Sequence, residues 1–419
     1  MSKLQMQQHR HYLNPKSNHY LLVPLLWVVL YACAPKKQAE YQSTDYLGQE
    51  TPDTIPQIFG KDIISVDGRF DMGFAMSPNG KSMVFGVADE TDPKGTCLYL
   101  MNNIDGIWSS PDKSFLPDNV NTFFPMFGPS GDKLYFAKSN GSDTDLWSAE
   151  FVDHSAIAPQ PLDSIFNSKS REAGHGKAKS GAFYFTSNRD DQNQCCGDIY
   201  YAKPTSGRYT NIQRSAMLSS EADEESLFLS PDGRYIIVQA WKGEFQSKHD
   251  LYISYRTIHG SWTPLKRLND HINGKEIEQR PFVSPDHKFL FFSRMKIQRK
   301  NGQDSYDSDI YWVSTKSVFA PYVYNPQIEA SVTFNKKFEL HFPSDLFKDI
   351  DNQELTYQLT LKDGSEIPEW ITFDSNKLML SGTWATKEPL GFKLTARDGS
   401  GNSNIFKFDL NQSNLETQD

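Results

Sequence analysis

Short apolar runs alternate with polar turns along most of the chain, and one turn-and-run unit recurs. Its clearest copy is SPDGRYIIV at residues 230–238. Proline presets φ for a turn and glycine adopts the left-handed conformation, so this turn joins two antiparallel strands at low cost. Related units lie at residues 77–85, 128–136 and 284–292 and, without the proline, at 179–185. The pattern predicts repeats of about fifty residues, each with several short strands.

A second mark follows each turn, in the form of a short apolar-aromatic run. In four repeats this run begins with an aspartate, at Asp145, Asp198, Asp250 and Asp309. Several short strands in each fifty-residue repeat are typical of a β-propeller. The repeats resemble the TolB-like, WD-repeat-like propellers of bacterial envelope proteins, and the lead-in is similar to that of Bacteroidetes lipoproteins of this family. The resemblance implies an architecture and leaves the chemistry open, because one fold hosts many functions.

The repeats predict a five-bladed propeller over residues 56–325. The fifth repeat lacks a clear fourth strand, and residues 57–65 are predicted to supply it. Such pairing closes the ring and removes open sheet edges. Six blades are the alternative, with a degenerate blade at residues 150–170 or 313–330.

A second domain is predicted over residues 326–412, where the fifty-residue period stops. Apolar and polar residues alternate at 355–361 and 392–396, as in half-buried strands. The order Asp-x-Asp, Leu-Thr-Tyr, Pro-x-Trp, Ser-Gly-Thr, Ala-x-Asp-Gly resembles a dystroglycan-type, cadherin-like domain, which implies an Ig-like β-sandwich. Residues 413–419 read as a polar tail. No long amphipathic helix appears in the pattern, so the chain is predicted to be all-β.

The first 33 residues read as a lipoprotein signal peptide. Basic residues precede an apolar run at 20–32, which is too short to span a bilayer comfortably and ends in the lipobox-like Leu-Tyr-Ala-Cys33. A buried segment with an incidental cysteine is the alternative, and it does not explain the basic flank. Acylation of Cys33 would anchor the chain to a membrane through a flexible tether at 34–55. We therefore expect a lipid-anchored protein of the bacterial cell envelope, at the outer membrane, on either the periplasmic or the surface face.

The net charge limits the class of binding partner, and the cysteine content limits the possible disulfides. The net charge is −9 and the isoelectric point about 5.6, which argues against nucleic acid, since phosphate binding needs a basic surface. Cys97, Cys195 and Cys196 remain after Cys33, and an odd number leaves one thiol free or buried. Adjacent Cys195 and Cys196 are candidates for a disulfide within a turn, with a structural role favoured over a redox role.

Acidic residues recur at one position of the repeat, seven residues before each turn position. Four of the five equivalents are carboxylates, and the set comprises Asp71, Thr122, Glu172, Glu224 and Glu278. The first strand of each blade lines a propeller's channel, so these side chains are candidates for a ligand site at one mouth, with Arg171 and Arg280 available to neutralise them. The alternative is structural hydrogen bonding at every strand start.

We expect a binding or scaffolding module that contacts an envelope protein or a glycan through the propeller, because no catalytic motif accompanies the complete fold. A glycan-active enzyme of the hydrolase or lyase type is the alternative. It would use two channel carboxylates about 5–9 Å apart, with His175 nearby. A purely structural lipoprotein, in which the sandwich extends the propeller from the membrane, is a third reading.

Three acids of the second domain resemble the positions by which cadherin-like domains hold Ca²⁺, namely Asp349, Asp351 and Asp398. Carboxylate oxygens suit this ion, but it takes about six to eight oxygen ligands. Capping of a turn by Asp349 and Asp351 is the alternative. No other cofactor is expected.

Overall fold

The chain folds almost entirely into β-strands. A computed structural model describes residues 41–42, 46–88, 95–190, 196–241, 249–300, 303–328 and 331–412. The one helix in these ranges is a 3₁₀ turn, Thr315–Ser317, and no described helix is long and apolar enough to cross a membrane. Cys33, Cys195 and the tail at 413–419 lie outside the described residues. The predicted all-β class is confirmed.

Five antiparallel units follow one another in the described part of the chain before residue 315. The first contains β3 (Phe70–Met76), β4 (Ser82–Ala88), β5 (Thr96–Ile104) and β6 (Ile107–Trp108), with β1 (Tyr41–Gln42) on its outer edge and β2 (Gln57–Ile58) preceding it in the chain. The second contains β7 (Thr122–Phe127), β8 (Lys133–Ser139), β9 (Thr144–Val152) and β10 (Ser155–Pro161). The third contains β11 (Glu172–Lys177), β12 (Phe183–Ser187), β13 (Asp198–Ala202) and β14 (Gln213–Arg214). The fourth contains β15 (Asp223–Leu229), β16 (Tyr235–Trp241), β17 (Asp250–Tyr255) and β18 (Lys266–Arg267). The fifth contains β19 (Ile277–Val283), β20 (Phe289–Lys300) and β21 (Gln303–Ser314).

The first strands of the five units stand in a ring. Strand β3 packs on β7, β7 on β11, β11 on β15, β15 on β19, and β19 on β3 again. The approach is tightest between β11 and β15, where a Cβ on Gly174 would lie 2.4 Å from the Cα of Ser226, so that position requires glycine. This cyclic arrangement is that of a propeller. The two regions proposed for a sixth blade contain β10, the 3₁₀ turn and a two-residue strand at Tyr322–Val323, and no additional four-stranded sheet lies in their described residues.

The lead-in closes the ring, as the sequence predicted. Strand β2 pairs antiparallel with β21, and the Phe59 amide donates to the Ile310 carbonyl at 2.8 Å. Phe59 is completely buried, with its ring 5.0 Å from Phe291 and 5.2 Å from Trp312. The fourth strand predicted within residues 57–65 is confirmed for Gln57–Ile58, the two residues that form it.

The recurrent turn holds itself together by one repeated set of hydrogen bonds. In the fourth unit the Ser230 hydroxyl donates to Asp232 at 2.8 Å and accepts from the Tyr235 amide at 3.1 Å, while Gly233 has a φ of 73°. The serine and acid recur at Ser284 and Asp286, where the hydroxyl donates at 2.6 Å. Each turn therefore fixes the end of one first strand at the same mouth of the ring.

The second domain is a sandwich of two small sheets. Its strands are β22 (Tyr322–Val323), β23 (Ser331–Val332), β24 (Lys337–His341), β25 (Phe347–Lys348), β26 (Thr356–Leu361), β27 (Ile371–Asp374), β28 (Met379–Thr383), β29 (Leu390–Arg397) and β30 (Ser403–Gln412). One sheet has the order β23-β30-β29-β26 and the other β24-β28-β27. Between them lies a core that includes Leu380, Trp384, Phe392 and Leu394, all completely buried.

Candidate ligand-binding channel

A cavity of about 190 Å³ lies inside the ring at the turn side. Its mouth is lined by the prolines of four turns, namely Pro78, Pro129, Pro231 and Pro285. Lys179 takes the equivalent place in the third unit, whose turn has no proline. Its walls are mainly apolar side chains of the five first strands, while its polar side chains are those of His175, Lys177, Lys179, Ser284 and His287. No Asp, Glu, Asn or Gln is among the described residues that line it.

A smaller cavity of about 30 Å³ continues from the first toward the middle of the ring. Phe74, Pro125, His175, Leu227 and Pro281 line both cavities, so the two spaces adjoin. The smaller cavity adds Arg280 to the lining. Burial lowers the pKa of His175 to about 4, so this imidazole is neutral at pH 7. The channel therefore combines an apolar mouth with a cationic neck.

The four repeated carboxylates do not line either cavity. All four are completely buried, and Asp71, Glu172 and Glu224 accept hydrogen bonds from the loop that precedes their own strand. Glu172 accepts from the amide and hydroxyl of Ser168 and from Ser187. Glu224 accepts from the amide and hydroxyl of Ser220.

Asp71 accepts from the Val66 amide at 2.9 Å, and burial raises its pKa to about 6 even though Arg69 lies 2.6 Å away. Thr122, the uncharged equivalent, donates to Asn119. These are the strand-start hydrogen bonds of the structural alternative. A ligand-binding role for the acids stays a prediction.

Three of these acids form ion pairs with arginines other than Arg171 and Arg280, whose neutralising role stays a prediction. The ion pairs join Arg69 to Asp71, Arg189 to Glu172 at 3.1 Å, and Arg294 to Glu278 at 2.8 Å. Adjacent residues of a strand point to opposite faces, so Arg171 cannot share a face with Glu172. It reaches Glu225 of the next unit instead, at 3.3 Å.

Arg280 was expected beside Glu278, which precedes it by two positions in β19. The pairing of β19 with β20 shifts register between Gln279 and Phe282, and Arg280 has a φ of 54°. A β-bulge re-aims a side chain, and here the guanidinium lies in the channel, 4.8 Å over the Phe124 ring.

The sequence reasoning did not identify the small cluster of Asp223, Glu225 and His249. Their ligand atoms lie within 4.8 Å of one another, the only such trio of His, Cys, Asp or Glu in the described residues. His249 Nε2 is 3.5 Å from Asp223, while Glu225 accepts from Gln239 Nε2 at 2.8 Å. Alternate residues of β15 bear the two acids, but an Asp-x-Glu pair at a strand start is too common to reveal a partner 24 residues further along the chain.

The three acids of the second domain are occupied by local contacts. Asp349 accepts from the Asp351 amide at 3.2 Å, Asp351 from Gln353 at 2.7 Å, and Asp398 from the Asn402 amide at 2.7 Å. Burial, with the neighbouring Asp351 carboxyl, raises the pKa of Asp349 to about 8. These are contacts of the turn-capping alternative. The calcium site stays a prediction.

The described cysteines have different surroundings. Cys97 is buried, and its Sγ donates to the Asn119 carbonyl at 3.1 Å. Cys196 is disulfide-bonded, and its predicted partner Cys195 lies outside the described residues.

A family model with the description "Putative Ig domain" (He_PIG) matches residues 320–411. The second domain is therefore Ig-like, as predicted. A comparison with curated protein sequences found no match.

Solved structures similar to the chain include TolB from Acinetobacter baumannii, at 16% identity and a TM-score of 0.36, covering 59% of this chain and 55% of that one. A chain described as "putative TolB from Agrobacterium tumefaciens" has 14% identity and a TM-score of 0.38, with 82% of both chains covered. Oligogalacturonate lyase from Vibrio parahaemolyticus has 13% identity and a TM-score of 0.34, covering 59% and 67%. Such distant similarities concern the fold alone.

Proposed function

We propose that this protein is a non-catalytic binding protein of the bacterial cell envelope that takes an apolar protein segment into the turn-side mouth of its propeller. The cavity at that mouth carries the proposal. It is concave, mainly apolar, and bears a few polar side chains, which is the usual composition of a binding site.

A protein segment suits this cavity better than a glycan. A sugar presents many hydroxyl groups, and each that is buried without a partner costs about 1–3 kcal/mol. Carboxylates and amides are the usual acceptors for them, and none lines the cavity in the described residues. Prolines, phenylalanines and methionines favour an apolar side chain instead.

The alternative, a glycan-active enzyme, has less support. Hydrolysis by the usual route needs two carboxyl groups that face a common space. The repeated acids instead accept hydrogen bonds near their strand starts, and three of them pair with arginines. Turnover of a glycan that is lost in Glu224→Gln would revive this alternative.

Photocrosslinking in the intact envelope tests the binding function. A photoreactive residue at Pro78, an exposed position on the mouth, should capture a protein partner, while the same residue at Ser365, in an exposed turn of the Ig-like domain, should not. Lys179→Trp covers the mouth with a bulky ring and should abolish the crosslink, whereas Lys169→Trp, on an exposed loop, should leave it intact. Capture that survives Lys179→Trp would contradict a site at this mouth.

The membrane anchor is part of the proposal and rests on the lipobox-like sequence at Cys33. Metabolic labelling with a radioactive fatty acid should mark the wild-type chain and not Cys33→Ser. Cys97→Ser is the control, because Cys97 is a buried thiol and should not affect acylation. Equal labelling of Cys33→Ser would contradict the anchor. Fractionation of the labelled chain should place it in the outer membrane.

A further inference from the structure

Arg280 is a largely buried cation, and no acid among the described residues forms an ion pair with it. Its Nε and Nη1 atoms are buried and have no hydrogen-bond acceptor in the described part of the chain. The guanidinium lies over the Phe124 ring, and the side chain keeps its partial exposure where it lines the 30 Å³ cavity. Burying an unpaired charge is costly unless a partner neutralises it, and burial accordingly lowers the pKa of Arg280.

The backbone holds this arginine in place. Its amide donates to Ser226 Oγ at 3.1 Å and Gln239 Oε1 at 3.2 Å, both in the neighbouring unit. A φ of 54° is unfavourable for a residue with a side chain, so the surrounding contacts must impose it. The fold therefore holds a strained backbone that directs a guanidinium to the channel neck.

The nearest acid does not satisfy Arg280. Glu225 contributes to the electrostatics of the guanidinium, but its oxygens bond to Arg171 at 3.3 Å and to Gln239 at 2.8 Å. Gly73, opposite, has no side chain, and a Cβ there would meet Arg280 Cδ at 3.4 Å. The Arg280 guanidinium therefore faces the small cavity and not an acidic side chain among the described residues of the ring.

The channel as a whole is positive. Lys177, Lys179 and Arg280 line its two adjoining cavities, and no acid does so in the described residues, although the net charge of the chain is −9. A low-dielectric cleft lined by one sign of charge concentrates ligands of the opposite sign. An anion that enters here approaches a cation at each level of the channel.

We propose that the channel binds a carboxylate joined to an apolar group, with the carboxylate on Arg280 and the apolar group in the 190 Å³ cavity. Guanidinium donors match the planar carboxylate, and the 30 Å³ neck is large enough for a group of that size. This inference rests on the proposed binding function and specifies its ligand class. Two sources share the chemistry: the free carboxyl end of a polypeptide and a free aliphatic acid.

Calorimetric titration of the full chain tests the proposal with three probes. They are acetyl-Leu-Phe with a free carboxylate, the same dipeptide as its carboxamide, and hexanoate. The wild type should bind the free acid about tenfold more tightly than the amide, since a charge-assisted hydrogen bond is lost. Binding of hexanoate alone would assign the source as a free acid, and binding of the peptide acid would assign it as a chain end.

Arg280→Gln removes the charge and keeps most of the side chain. The acid and amide should then bind equally, while Arg208→Gln, on an exposed loop, should retain the tenfold preference. A preference that persists in Arg280→Gln, or is lost in Lys179→Gln instead, overturns the placement. Equal binding of the acid and the amide to the wild type would contradict the proposed recognition of a carboxylate. It would remain consistent with the proposed binding of an apolar protein segment. No binding of any probe contradicts both proposals.

A ligand-free measurement guards against misfolding. If Arg280 is an unpaired cation, Arg280→Gln should melt at the same temperature as the wild type or higher. A clear fall in the melting temperature, with the fall absent in Arg208→Gln, would show that the guanidinium stabilises the fold and would overturn the proposal.

Discussion

At the scale of single residues, the buried acids show how one blade holds its strand start. Glu172 is completely buried and accepts hydrogen bonds from two serines, and Arg189 lies 3.1 Å away with little exposure. Such a carboxylate ties the loop before the strand to the strand beside it. Its contribution is therefore to stability, because removing it leaves the two serine hydroxyls without their acceptor and takes the counterion from Arg189, which keeps neutral acceptors such as the Phe166 carbonyl and the Ser187 hydroxyl.

Glu172→Ala should lower the free energy of unfolding by about 3 kcal/mol, because it leaves a half-desolvated arginine unpaired. Glu172→Gln should cost less, since the amide oxygen still accepts from the serines. Urea unfolding followed by tryptophan fluorescence measures both. Glu221→Ala, an exposed acid in the neighbouring unit, is the control and should change the free energy by less than about 0.5 kcal/mol. Equal losses in Glu172→Ala and Glu221→Ala would contradict the structural role.

Asp349 gives a prediction about pH. Its folded pKa of about 8 lies above the usual value of 3.8, so the folded state keeps a proton that the unfolded state has released across that interval. The free energy of unfolding should therefore fall as pH rises from about 4 to about 8. Asp349→Asn should remove this slope and be more stable at pH 8 by roughly 1 kcal/mol, allowing for solvent screening.

Thermal melts of the wild type and Asp349→Asn across that range check the difference. Asp374→Asn, an exposed acid in the same domain, should keep the wild-type slope. If Ca²⁺ binds the predicted acids, adding it should flatten the wild-type slope and leave Asp349→Asn unchanged. A slope that persists in Asp349→Asn would contradict the assignment.

At the scale of elements, the strand starts and turns could be read from the sequence because each depends on local chemistry. The recurrent turn carries proline in four of its five copies and glycine in four of five, and its serine donates to the acid two residues on at both Ser230 and Ser284. The closing strand could be inferred because the last repeat lacked one. Its pairing with β21 followed from the need to cover an edge.

The channel lining could not be read in the same way. Counting from the turns assumes strict alternation, and all five first strands shift register in mid-strand. Such a bulge exchanges the faces of the residues beyond it, so Arg280 enters the channel while Glu278 pairs across the sheet with Arg294. The strand register would have identified the true partner of this acid. Arg294 lies directly across from Glu278 on the neighbouring strand, sixteen residues further along the chain.

The closing strand yields a prediction at this scale. Phe59→Ala should lower the free energy of unfolding by about 3–5 kcal/mol, because the ring is completely buried against Phe291 and Trp312. Ile55→Ala, on the same segment with 54% of its surface exposed, is the matched control and should cost less than about 0.5 kcal/mol. Urea midpoints give both values. A cost below about 1 kcal/mol for Phe59→Ala would show that the lead-in does not hold the ring closed.

At the scale of the whole molecule, the Ig-like domain is joined to the propeller by more than a linker. Tyr322 stacks on Tyr255 of β17 with ring centroids 4.4 Å apart, and the Ala320 amide donates to the Tyr255 hydroxyl at 3.2 Å. Strand β22, which directly follows the propeller, pairs with β25 of the sandwich. The joining segment is thus shared by both cores, and the two domains should unfold together.

Asn402 allows this coupling to be tested without disturbing either core. From the β29–β30 turn its Nδ2 donates to the carbonyls of Lys316 and Phe319, each at 2.9 Å. The wild type should melt in one calorimetric transition. Asn402→Ala should lower the midpoint by roughly 2–4 °C, since two carbonyls lose a donor worth about 1 kcal/mol. Ser400→Ala, in the same turn but bonded only to Gln353 of its own domain, should leave the midpoint unchanged. Two well-separated transitions in the wild type would mean that the sandwich is an independent module, and the binding mouth would then be held by the propeller alone.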